Sequence, residues 1–143
     1  MPKVSLAFFA TGCVYVLVGM MLGMWMGANE NYTLAPVHAH LNLIGWASMG
    51  LMGAFYALAG DRAPRRLAWV NYGLVTLAVL VMGPSLARLL LGDKTILPVL
   101  VFSELLAVLG MLTFFAAVLM TWARSNTGAV TPTKGVGSMM PAE

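Results

Sequence analysis

Four long apolar runs separated by short polar stretches make up most of the chain: Val4–Gly27, Val37–Ala59, Leu67–Leu91 and Ile96–Trp122. Each holds 23 to 27 residues, and about 20 suffice to cross a hydrocarbon core of roughly 30 Å. Lipid offers the backbone no hydrogen-bond partners, so each run must be a helix. The pattern predicts an all-α membrane protein with four transmembrane helices in one domain, residues 1–122. The first run is too long for the apolar core of a signal peptide, about 7–15 residues, and Met26-Gly27-Ala28 is a poor cleavage site, so it reads as a retained helix. Gly83-Pro84 falls inside the third run and is expected to bend it, because proline removes a donor and crowds the preceding turn. Residues 123–143 are rich in Gly, Pro, Ser and Thr without apolar periodicity, the composition of a disordered tail.

Composition sharpens the class. Only 9% of residues are charged against 60% hydrophobic, whereas a soluble domain carries about 25% charged residues. The net charge of +3 comes from residues lying almost entirely between the runs, not from a nucleic-acid patch. Lys3, Arg62, Arg65, Arg66, Arg124 and Lys134 fall on one side of the predicted topology, and Arg88 and Lys94 on the other. The positive-inside rule then places both termini, and the tail, in the cytoplasm. Cys13 is the sole cysteine and reads as packing. Gly19, Gly23 and Gly27 form two overlapping G-x-x-x-G units, a stripe for close helix contact within the chain or between chains.

Ionisable groups inside a span are costly and tend to mark sites. Here they are His38, His40, Arg88 and Glu104, and all four fall in the outer half of the predicted bundle. Glu104 lies about 12 Å into the fourth helix. Residues two apart on a helix diverge by about 200°, so His38 and His40 cannot share one metal ion on the same helix; each must serve a different cavity, or one shared with a neighbouring molecule. Gly45 lies two turns beyond His38, and Ala47 two turns beyond His40, small residues that leave room for a flat ligand. The plain alternative is a pair of interfacial histidines hydrogen-bonded at a helix start.

The segment Pro36-Val37-His38-Ala39-His40-Leu41-Asn42, followed by Gly45-Trp46, resembles the second-helix motif of the haem-copper oxidase large subunit, especially its nitric-oxide reductase and cbb-type branches. His38 matches a low-spin haem ligand there. The H-x-H spacing is similar to that subunit's tenth-helix motif, whose histidines face two cofactors. The family's large subunit has twelve helices in three arcs of four; this chain looks like one arc and lacks the further copper-binding histidines, so oxygen reduction is not implied. The resemblance implies a homotrimer in the bacterial inner membrane, with haem b (iron) between copies and His38 of one copy facing His40 of the next. It also suggests Arg88 as a partner for haem propionates, Asn42 as a hydrogen-bonding neighbour of the His38 imidazole, and Trp46 as a border to the macrocycle. Glu104 is expected to pair with Arg88 or to carry protons. Electron transfer or diatomic-gas sensing would follow, with a redox partner or quinol.

Two rival readings stand beside this one. Met20, Met21, Met24 and Met26 end the first helix near the histidines, and thioethers with imidazole suit Cu(I). The other is a cofactor-free accessory membrane protein. No nucleophile–base pair or phosphate loop points to an independent enzyme, and the expected partners are lipids and other copies of the chain.

Overall fold

The computed structural model describes residues 1–127. Four helices carry the fold: α1 (Lys3–Ala28), α2 (Ala35–Arg62), α3 (Arg65–Leu90) and α4 (Leu97–Thr127). All four are long and apolar enough to cross a membrane, as the hydropathy pattern requires. The expected boundaries shift outward where polar flanks keep helical hydrogen bonding. Thus α2 reaches Arg62 and α3 begins at Arg65, just beyond each apolar run. α4 continues through Ala123–Thr127, which the sequence assigned to the tail; the rest of that predicted tail, 128–143, lies outside the described residues.

Local chemistry ends the helices where they end. Gly60, at φ +54, closes the main α-helical part of α2, a left-handed conformation that costs glycine little. Pro64 then opens α3 from an extended conformation, as its fixed φ and missing N–H allow. At the other end Gly92, at φ +103, follows α3. Asp93 caps the short turn Lys94–Ile96 by accepting from the Thr95 amide at 3.0 Å. α3 runs unbroken through Pro84.

The helices form two antiparallel pairs, α1 with α2 and α3 with α4, and the pairs meet where α3 lies against α1 and α2. Within the first pair the backbones approach closely. A Cβ placed on Gly19 would stand 2.7 Å from Asn42 Oδ1, and one on Gly23 would stand 2.9 Å from His38 Cε1. The glycine stripe therefore serves packing within the chain at Gly19 and Gly23, while Gly27 faces open space. Phe8, Tyr56 and Tyr72 form an aromatic cluster among α1, α2 and α3, with Phe55 and Phe114 extending it to α4.

Lipid supplies no hydrophobic drive between helices, so polar side chains help specify their mating. The Ser5 hydroxyl donates to the Gly53 carbonyl at 2.6 Å, joining α1 to α2. The Thr11 and Tyr72 hydroxyls share a hydrogen bond of 2.8 Å, and Tyr15 donates to the Thr76 carbonyl at 2.7 Å, joining α1 to α3. Asn71, fully buried, accepts from Tyr56 at 3.2 Å and donates to the Gly110 carbonyl at 2.7 Å. One amide thus ties α2, α3 and α4 together.

The start of α1, the α2–α3 turn and the end of α4 share one end of the bundle, where Arg124 donates to the Arg62 carbonyl at 3.1 Å. We call this the basic end. The α1–α2 loop and the α3–α4 turn form the opposite, histidine end.

Candidate functional site at the paired histidines

Pro36 sits in the first turn of α2, where its absent N–H costs nothing. It sets His38 and His40 just inside the helix start. His38 turns toward α1: its Nδ1 lies 2.8 Å from the Gly19 carbonyl oxygen. A carbonyl can only accept, so the proton sits on Nδ1 and the lone pair of the neutral ring is on Nε2. That lone pair accepts from Asn42 Nδ2 at 3.0 Å, and the second hydrogen of the same amide goes to the His38 carbonyl at 2.9 Å. Reversing the Asn42 amide would set two acceptors against each other, so the network fixes both the amide and the tautomer.

His40 makes the same bond differently. Its Nδ1 donates to the Pro36 carbonyl of its own helix at 2.7 Å. It lies on the more open side of α2, and no hydrogen bond reaches its Nε2 among the described residues. The two rings therefore part company: His38 is seated against α1, while His40 is partly exposed.

Beyond His40 the helix changes character. Leu41–Ser48 is a π-helix, followed by α-helix over Met49–Ala59. The i→i+5 bonding of a π-segment widens the turn and often accompanies functional sites. Here it lets Gly45 and Trp46 both meet α1. A Cβ on Gly45 would stand 2.8 Å from Tyr15 Cβ, and the Trp46 ring lies 3.3 Å from a Cβ placed on Gly12. The space beside Gly45 is thus filled by Tyr15, and any flat ligand would have to approach from outside the α1–α2 contact. Ala47 is exposed.

Arg88 and Glu104 are not paired. Arg88 donates to Asp93 at 2.6 Å, an exposed ion pair. Asp93 also accepts from the Thr95 hydroxyl at 2.5 Å. That hydrogen bond, with the one from Arg88, holds the Asp93 carboxyl below its ordinary value. A depressed carboxylate contributes stability above its unfolded-state value and loses it as pH falls through the folded one, so this turn should loosen only in strong acid. Being solvent-exposed, the pair adds little at neutral pH: Asp93→Asn should leave the melting temperature of purified protein at pH 7 within experimental error. Glu104 is exposed on α4, between Val101, Phe102, Leu105 and Val108, which are exposed as well. Of the methionines near the histidine end, Met20, Met21 and Met24 point outward and Met26 inward, so their thioethers do not converge. Cys13 is also exposed.

No family model, curated protein or solved structure matches this chain. The site's own chemistry is what a function must be read from. Among the described residues no group of three or more His, Cys, Asp and Glu side chains gathers as a metal cluster. Asn71, the polar residue that ties three helices, stands inside an apolar run, four residues after its start at Leu67; that position was its signal in the sequence. The π-segment has no comparable signal.

Proposed function

We propose that this chain is a b-type haem-binding protein of the bacterial inner membrane, with both termini cytoplasmic, in which His38 of one copy and His40 of the next hold each haem in a homotrimer. One observation carries the reading. Both imidazoles commit Nδ1–H to a backbone carbonyl, which fixes tautomer and ring orientation and leaves Nε2 as the ligating nitrogen, the arrangement that supports metal-bound histidines. His40 offers that nitrogen freely. At His38 the Asn42 amide occupies it, and a rotation of one side chain releases it. The imidazoles leave α2 on different sides, so a shared ligand requires a second copy.

Glu104 supports assembly. A carboxylate on the outer face of a spanning helix is expensive against lipid, and a protein neighbour would relieve it. In this reading Arg88, exposed at the histidine end and paired there with Asp93, would meet an acidic group of a bound macrocycle, and Trp46, 37% exposed, would border one. A haem with two imidazole ligands supplies one-electron transfer, or a diatomic-gas site where one imidazole yields.

Oxidised and reduced absorption spectra of the full chain, purified after haem-replete expression, test the proposal. The expected result is a Soret band with low-spin features, largely lost in both His38→Ala and His40→Ala, and a trimer by light scattering. Colourless protein would overturn it, and a copper signal without a Soret band would turn the reading to copper. Asn42→Ala separates a ligand from a packing histidine. It should retain the pigment or bind it more tightly, because it frees Nε2 without touching the bond to Gly19.

A further inference from the structure

A second site lies at the opposite end of the bundle. A cavity of about 620 Å³ opens between the start of α1, the end of α2 and the start of α3, within the range of small-molecule pockets. Tyr56 and Ala68, both buried, lie deep in its wall, and Trp69, 40% exposed, stands beside them. Lys3 and Arg65 line it from two different helices, with Asp61 as its acidic residue. Neither cation forms an ion pair among the described residues. The surroundings are strongly positive: Lys3, Arg62, Arg65, Arg66 and Arg124 lie at this end, against Asp61 alone among its described residues. α1 and α3 also start at this cavity without a side-chain cap or an acidic residue in the first turn, which adds their positive ends to the field.

We infer that this cavity binds a phosphate-ester anion, with the phosphate between Lys3 and Arg65 and a neighbouring hydroxyl on the Asp61 carboxylate. The ligand chemistry follows from the parts. Two cations on separate helices suit a phosphate, which guanidinium groups grip by paired hydrogen bonds. A tryptophan at the depth where a spanning helix leaves the membrane suits an amphipathic ligand. Basic pockets between spanning helices are where anionic headgroups bind. An anionic phospholipid such as phosphatidylglycerol offers the phosphate, the hydroxyls and the acyl chains together; a soluble phosphate ester offers the first two. The site is at the far end from the histidines and stands whether or not haem binds.

Native mass spectrometry of the full chain, released from detergent with phosphatidylglycerol or phosphatidylethanolamine present, is the test, with thermal unfolding in millimolar inorganic phosphate as the soluble arm. Phosphatidylglycerol should be retained over phosphatidylethanolamine, and Lys3→Gln/Arg65→Gln should lower that retention about tenfold or more. Arg66→Gln, at the same end but outside the cavity lining, should change it little. If inorganic phosphate protects the wild type and not the double variant, while lipid retention is unselective, the site stands and its ligand is soluble. Equal loss in Arg66→Gln, or no selectivity for any phosphate in either arm, overturns the inference. Lys3 and Arg65 are exposed, and the single Lys3→Gln provides the same comparison should the double variant fold poorly.

Discussion

Gly45→Val should lower the unfolding temperature of the purified protein by several degrees and displace α2 from α1. The physical reason is a matter of which atoms would collide. A Cβ on Gly45 meets Cβ and Cγ of Tyr15 at 2.8 and 3.0 Å, atoms fixed close to the α1 backbone and unable to swing away. Tyr15 is itself held by its bond to the Thr76 carbonyl. Valine adds two methyl groups to that collision, and overpacking of this kind costs about 1–3 kcal/mol. Gly50 is the matched control. It lies in the same helix with nothing within 4 Å of a Cβ placed on it, so Gly50→Val should change the unfolding temperature little, valine being no worse a helix former than glycine. Equal behaviour of the two variants would mean that α1 and α2 do not pack in this register. In the proposed haem protein Gly45→Val should also reduce pigment, since His38 moves with α2 away from the α1 wall that seats it.

Asn71→Leu should destabilise the fold by about 1–2 kcal/mol. Leucine keeps the branched shape of asparagine with a larger volume, so the substitution leaves no void and tests lost hydrogen bonding together with any overpacking. It removes the bond to the Gly110 carbonyl and leaves the buried Tyr56 hydroxyl without its acceptor. Single interhelical hydrogen bonds in membranes average about 0.6 kcal/mol, and stranding a buried hydroxyl adds to that. Tyr56→Phe should cost less by itself, and in the Asn71→Leu background it should recover part of the loss, because the stranded hydroxyl is then gone. Thermal unfolding of the four proteins in one detergent gives the coupling; strict additivity would show that the two side chains do not meet.

The architecture was legible because the membrane makes it so. Runs of this length and apolarity leave the backbone no choice but helix, and all four spans follow. Their ends were less legible, since Arg62, Arg65 and Ala123–Thr127 continue the helices on polar residues that hydropathy assigns to loops. The divergence of His38 and His40 was readable from helix geometry alone, as the first turns of α2 are ordinary α-helix. What the pattern hid was tertiary. No residue type announces the π-segment over Leu41–Ser48. The space reserved beside Gly45 for a ligand is taken by Tyr15, a residue about thirty positions away whose partner no single sequence reveals. The expected alternative of an Arg88–Glu104 pair yields to Asp93, which lies five residues from Arg88 and so needs no long-range fold to find it.

The side-chain bonds joining the two helix pairs are unevenly placed. Thr11 to Tyr72, Tyr15 to Thr76 and Tyr56 to Asn71 engage the first half of α3, and Arg124 to the Arg62 carbonyl joins α4 to α2 at the same end. Toward the histidine end the pairs touch through apolar groups such as Leu41 against Gly83. The molecule is therefore built like a pair of tongs, riveted low and merely greased near the tips. Amide exchange with deuterium should therefore run faster at the tips than beside the rivets, because separating the two pairs there breaks no side-chain hydrogen bond described in the structure.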